Sequence, residues 1–296
     1  MKCIDEKYIT LPPQDQMRFY NFKEFETIPT LSNYNLVSVG SSLDFFKEYD
    51  DIVLFLFEEP NDFWVPGMEK TIKENDSKIK KILSPCPYSV DYFNKLYNTD
   101  KRQWVFLPFN IKNIPEETEK IFDVYFTGHV MGQHLINTAN LMHNYKHCFV
   151  SYNYGPYAGV GYHEKLKLNS KSKISIVHNC LFDSSGFNMD ELFPGHEAFK
   201  HIQRTRLTPQ LKTRTIEASA CKSIILSHFE DHRVIETMFK PDFDFIYWYN
   251  FKDLEEKINE ILSNYEKYTY LAENAYNTLI NNWTTYHFFE KYLRNL

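Results

Sequence analysis

Hydrophobic positions along the chain fall in short runs separated by stretches of helical spacing. Ile52-Val-Leu-Phe-Leu-Phe57 is apolar at every position, a pattern that suits a strand covered on both faces in a parallel sheet. Residues 36–40, which run into Gly40-Ser41-Ser42, read as a strand and its turn. Residues 104–107, 124–126, 148–152, 174–177, 223–226 and 245–248 read as further strands. Between them, residues 90–97, 133–143 and 211–220 carry helical patterning. Strands alternating with helices predict β-α-β units, mostly parallel sheets and an α/β fold. Ligands of such sheets bind beyond the carboxyl ends of the strands.

The polar, proline-containing stretch Asn110 to Lys120 reads as a linker. It divides the chain into two expected Rossmann-like domains, 1–115 and 116–296. Near the C-terminus, Leu254, Ile258, Ile261 and Leu262 share one helical face, and Leu271, Ala272, Ala275 and Leu279 repeat the pattern. Trp283 and residues 288–293 predict a third helix, and these helices are expected to pack back on the fold.

Composition narrows the function classes. The chain has 296 residues, 43% of them hydrophobic and 24% charged, which suits two small globular domains. A net charge of -6 without a long basic run argues against a nucleic-acid partner. The cysteines at 3, 86, 148, 180 and 221 form no C-x-x-C, so reduced thiols are expected, without a disulfide framework or structural zinc. Met1 to Phe22 is polar, with no signal-peptide core, and no apolar run approaches the roughly 20 residues of a membrane helix. A cytoplasmic location is therefore expected. No G-x-G-x-x-G follows the first strand and no P-loop occurs, which disfavours a dehydrogenase or an ATPase. His196-Glu197 lacks a second histidine four residues after the first, so neither a metal nor a cofactor is expected. The aromatic content of 17% is compatible with sugar stacking or with a homo-oligomer.

The segment Pro209-Gln-Leu-Lys-Thr-Arg-Thr-Ile-Glu-Ala-Ser-Ala-Cys-Lys-Ser-Ile-Ile-Leu226 reads as a helix feeding a buried strand. Lys212, Arg214 and Glu217 fall in its first turns. Cations at a helix N-terminus can hold phosphates, and a carboxylate can accept a ribose diol. The same three residues also read as neighbours in surface ion pairs. His178 and Asn179 follow a strand and point toward the expected cleft, or form a capped turn. His196 to Arg206 reads as a solvated helix face, or as a segment closing over a diphosphate.

Arg214-Thr-Ile-Glu217-Ala-Ser-Ala-Cys221-Lys222, the strand after it, Phe239 to Tyr247, and Asn282 to Phe289 together resemble the donor-binding half of group 1 glycosyltransferase-like proteins. The resemblance is strongest to their spore-maturation-type branch and spans residues 122–296. It implies a GT-B fold with a nucleotide sugar, such as a UDP- or GDP-sugar, held by the C-terminal domain. By position, Glu217 would hold the ribose and Lys212 and Arg214 the diphosphate. Gly128 and His129 match the loop that approaches the sugar phosphates, though they read equally as a plain turn.

Two positions depart from the family pattern. Pro209 stands where many retaining enzymes carry the first glutamate of E-x7-E, and Lys222 stands where a glycine is usual.

The N-terminal domain is expected to hold a hydroxyl acceptor, most simply a carbohydrate in a glycan, glycolipid or glycoprotein precursor. Glu58 and Glu59, at the end of the most apolar strand, are the candidate catalytic bases. Their Glu-x-Pro spacing loosely resembles bacterial fucosyltransferase-type GT-B enzymes, and strand-end solvation before a turn proline is the plainer reading. The expected activity is metal-independent transfer of a hexosyl or related sugar. The alternative is a noncatalytic GT-B-like binding or scaffold protein.

Overall fold

A computed structural model describes residues 1–5, 22–26, 28, 33–38, 43–57, 59, 68–128, 132–150, 156–157, 159–182 and 207–296. The chain groups into two compact units. The first contains the described residues of Met1–Asn110 together with Thr285–Leu296, and the second those of Ile111–Asn188 and His201–Thr284. The crossover at 110/111 lies close to the 115/116 cut read from the linker. The return of the last residues to the first unit is not part of that cut.

In the first unit, β1 (Lys2–Asp5), β2 (Asn35–Ser38), β3 (Ile52–Phe55), β4 (Ile79–Ser84) and β5 (Arg102–Trp104) form a parallel sheet in chain order. Right-handed crossovers in such an order all fall on one face, so the other face needs a cover from elsewhere. The period of two along residues 52–57 shows both coverings. Ile52, Leu54 and Leu56 join Phe45, Phe46 and the Met68 and Ile72 side chains of α1 (Met68–Glu74). Phe55 points the other way, 5.2 Å from the ring of Phe288 and 5.9 Å from that of Phe22. Phe288 belongs to the returning segment, α8 (Thr285–Phe288) followed by a π-turn at Phe289–Leu293. The Tyr34 hydroxyl donates to the Leu293 carbonyl at 2.8 Å, fixing that segment further. This double burial is what a fully apolar strand requires. Helix α2 (Pro87–Tyr97) connects β4 to β5.

In the second unit, β6 (Phe122–Thr127), β7 (His147–Val150), β8 (Ser172–Val177), β11 (Ile224–His228) and β12 (Phe245–Trp248) form a parallel sheet ordered β12-β11-β8-β6-β7. A short antiparallel pair, β9 (Cys180–Phe182) with β10 (Leu207–Pro209), stands beside it. Helices α3 (Gly132–Met142), α6 (Phe251–Ser263) and α7 (Tyr265–Asn282) accompany one face, where Val124, Phe126, Ile174, Ile176, Ile224 and Leu226 pack against Leu254, Ile258 and Leu271. On the other face lie α4 (Tyr162–Ser170) and α5 (Thr213–Ala220). Chain order reverses at β6: β7 lies on one side of it and β8 on the other. In open parallel sheets that reversal is the place where strand-end loops diverge and leave a crevice.

Candidate donor site

The residues singled out in the second half of the sequence lie around this reversal. Gly128 directly follows β6, and His178 and Asn179 follow β8. Gly128 has φ +131°, and a Cβ there would run into the Arg214 guanidinium. Glycine is therefore required twice, for its backbone conformation and for the close approach of a cation. The same guanidinium lies 5.7 Å from the centre of the Phe126 ring. Burial lowers the Arg214 pKa, while Glu217, Cys180 and Tyr125 act to raise it.

Helix α5 starts where it does because Asn179 holds it. The Asn179 Oδ1 accepts from the Lys212 amide at 2.9 Å and from the Thr215 hydroxyl at 2.9 Å. Its Nδ2 donates to Ser227 at 3.3 Å. Lys212 is the N-cap residue, and its own side chain makes no cap hydrogen bond. Asn179 thus ties β8, α5 and β11 together, and its side chain positions the site.

Glu217, one turn into α5, is nearly sealed from solvent. Its Oε1 accepts from the Lys165 ammonium at 2.7 Å, and Lys165 comes from α4. Its Oε2 is buried and accepts no hydrogen bond among the described residues. A buried carboxylate oxygen without a donor is costly, so Oε2 keeps an unused capacity to accept. Lys165 was not singled out from the sequence. Its spacing in Tyr162-His-Glu-Lys165 carries no motif, and only the packing of α4 on α5 brings it to Glu217.

The two departures from the family pattern have different physical explanations. Lys222 has φ +48°, the left-handed conformation that glycine adopts freely. The backbone shape is kept and a lysine is strained into it, with its ammonium 3.0 Å from Glu273. Lys120, the last linker residue, donates to the Cys221 and Lys222 carbonyls at 3.0 and 2.8 Å and closes the end of α5. Burial pushes its pKa down to about 8. Pro209 pairs with Cys180 in the β9–β10 ladder, so no carboxylate stands at that position. Glu230, after β11, does not replace it: its two oxygens accept from the His232 and Val234 amides, and burial raises its pKa to about 7.

In the first unit, Glu59 takes a role other than the expected catalytic one. It is 1% exposed; one oxygen accepts from Arg102 at 2.6 Å and the other from Ser84. Arg102 also pairs with Glu69, whose pKa burial raises to about 7, and lies 4.1 Å from the Phe93 ring centre. With both oxygens held in this way, Glu59 serves as the partner of Arg102 and Ser84 and offers no unused oxygen to an acceptor hydroxyl. Glu58, His129, Gly40-Ser41-Ser42 and the cluster His196 to Arg206 lie outside the described residues.

Two units, each a parallel sheet with helices, and a site at a strand-order reversal in the second, define the GT-B class of fold. Known structures share it. Anabaena HepE, crystallised with UDP and glucose, superposes with a TM-score of 0.57 at 9% identity, over 87% of this chain and 76% of that one. A point mutant of S. aureus TarM, crystallised with UDP among other ligands, gives 0.57 at 12% identity, over 92% of this chain but only 58% of that one. A DNA-modifying β-glucosyltransferase gives 0.56 at 12% identity, over 95% and 94% of the two chains. No curated protein sequence matches the chain. Residues 155–294 match the family described as glycosyl transferase-like. Over that stretch the chain is similar to this family, and its fold is of the GT-B type.

Proposed function

We propose that the protein transfers a sugar from a nucleoside-diphosphate sugar to a hydroxyl acceptor, with the donor held by the second unit. The observation that carries this reading is the meeting of Gly128, Arg214 and the N-terminus of α5 at the β6/β8 reversal. A fixed guanidinium and helix amides there stabilise the negative charge that develops on a departing diphosphate. Lys212, at the same helix start, adds a second cation. These fixed charges can serve without a metal. Glu217 offers Oε2 to a ribose hydroxyl, and contact requires its side chain to swing outward from under Lys165. A hexosyl donor on UDP is the first to try, because HepE and TarM were crystallised with UDP. The acceptor is assigned to the first unit, and Glu58 remains the candidate base there. Among the described residues no helix is long and apolar enough to cross a membrane; a cytoplasmic, glycan-building role is part of this proposal.

The test is calorimetric titration with UDP, GDP, CDP and dTDP, followed by a transfer assay with the matching sugar nucleotides in the presence of EDTA. One nucleotide should bind at micromolar to millimolar Kd, and Glu217→Gln should weaken it at least tenfold while the protein stays folded. The loss of the carboxylate at Pro209 favours a second reading, a nucleotide-binding protein without transfer. Binding without turnover on any acceptor would select it, and no binding at all would reject both.

A further inference from the structure

Three histidines from separate elements converge at the same strand ends. His134 is in the first turn of α3, His178 follows β8, and His228 ends β11. The His134 and His178 Nε2 atoms are 2.8 Å apart, one donating to the other. The His228 ring centre lies 5.8 Å from each of theirs and 4.5 Å from that of Trp248. His178 is fully buried at the bottom, edge-on to Phe126 at 5.7 Å, and the Arg214 guanidinium lies 5.7 Å from that same ring. Half-buried His134 and His228 flank it.

We infer that His134, His178 and His228 complete, with Arg214, an anion cradle that takes up a proton from solvent when a diphosphate enters. This rests on the donor reading above and adds His134 and His228 to His178, the one histidine of the three already expected at the cleft from its place after a strand.

The argument is one of charge. Arg214 and Lys212 are the cations at the start of α5, and the one carboxylate in the first turns of that helix, Glu217, is held by Lys165. The amides of the first turn of α5 reinforce the positive field. The β12 and α6 neighbours, Trp248 and Phe251, carry no charge. Without an anion the imidazoles are neutral: burial brings His134 and His228 to about 4 and holds His178 well below its usual range, with His134, His228 and Arg214 contributing. A multiply charged anion within about 4–6 Å favours the protonated form by roughly 1–3 units for each site. At pH 6.5 this brings His134 and His228 into partial protonation, an uptake of roughly half a proton per ligand. The proton moves from buffer to an imidazole nitrogen, and no other bond changes.

The experiment is titration calorimetry of the full chain with UDP, GDP and inorganic pyrophosphate at pH 6.5, in two buffers of different ionisation enthalpy. The buffer dependence of the binding enthalpy counts net uptake by the unaltered protein and ligand together; the terminal phosphate, which titrates at about 6, releases protons on binding, and that release, measured for the free ligand, is added back, so the count does not depend on a variant folding. Uptake of roughly half a proton, reduced in His134→Gln and in His228→Gln, with affinity falling by roughly 1.5- to 2-fold from pH 6.5 to pH 8, supports the inference. Nucleotide binding with no uptake, or with uptake unchanged in both variants, overturns it and leaves the donor site standing. Pyrophosphate binding with uptake, while no nucleotide binds more tightly than pyrophosphate, supports the cradle and overturns the donor reading. No binding by any of the three probes overturns both.

Discussion

Replacing Arg102 by methionine tests the buried ion network that removes Glu59 from the catalytic candidates. Methionine keeps an apolar stem against Phe93 but leaves Glu59, sealed at 1% exposure, and Glu69 without their cation. Removing one partner of a buried pair costs about 3–5 kcal/mol, and losing the cation over Phe93 adds about 1 kcal/mol. The full sum is not realised, because the stranded carboxylates take up protons. Even with Arg102 present, burial holds Glu59 above its usual range and Glu69 near 7. A loss of about 4 kcal/mol at pH 8 is therefore expected. The sign of its pH dependence follows from linkage. A carboxyl whose folded pKa exceeds its unfolded value of about 4.3 binds more protons in the native state. Its contribution is fully present below the unfolded pKa and is lost as pH rises through the folded one. The variant should regain stability as pH falls from 8 toward 5, by up to about 1.4 kcal/mol per unit for each carboxyl. Urea unfolding at pH 5.5, 7 and 8, followed by near-UV circular dichroism, reads this out. Glu59→Gln and Glu69→Gln added to Arg102→Met should return most of the pH 8 loss. A loss below about 1 kcal/mol at pH 8, or one that deepens in acid, would refute the reasoning.

Four further outcomes follow from the second unit. Gly128→Ala should displace the Arg214 guanidinium, destabilise the protein by about 1–3 kcal/mol and weaken nucleotide binding at least tenfold, checked by thermal melts and calorimetry. Asn179→Ala should cost about 2–3 kcal/mol in urea unfolding, since it removes the start of α5 and strands the Thr215 hydroxyl in the interior. Lys222→Gly should stabilise by about 0.5–1 kcal/mol through relief of the left-handed strain, less about 0.5 kcal/mol for the lost pair with Glu273. His134 and His228 should titrate near pH 4 by proton NMR in the absence of ligand; their folded values lie below the unfolded one, so the stability they contribute is present above about 6.5 and is lost as pH falls toward 4.

Much of the fold was legible because it is written in local pattern. The unbroken run at residues 52–57 announces a doubly covered strand, and the regular face of Leu254, Ile258 and Ile261 announces a helix. What covers the strand was not legible. Phe288 lies 233 positions along from Phe55, its partner 5.2 Å away, and nothing in a one-dimensional pattern pairs the two. The strand read at residues 104–107 lies earlier, at Arg102–Trp104, and its bonding to β4 ends with the Val105 amide on the Ser84 carbonyl.

The candidate site divides along the same physical line. Gly128, Arg214 and Glu217 could be named in advance because each does something that one residue type does best: a positive φ, a fixed cation, a single acidic acceptor. Glu59 was misread because a carboxylate at a strand end is open or sealed according to a partner far along the chain, here Arg102, and charge alone does not distinguish the two. His134, His228 and Lys165 were missed for the opposite reason, while His178 was placed only by its position after a strand. A neutral imidazole has no sequence periodicity, and its chemistry comes from burial, which only the sheet order determines. Reversal at β6 brings the ends of β6, β8 and β11 to one place, and with them His178 and His228, while the first turn of α3 supplies His134. The neutral imidazoles of His134 and His228 and the partner of Glu217 are therefore properties of the topology, whereas Gly128, Arg214 and Glu217 are legible in the local sequence.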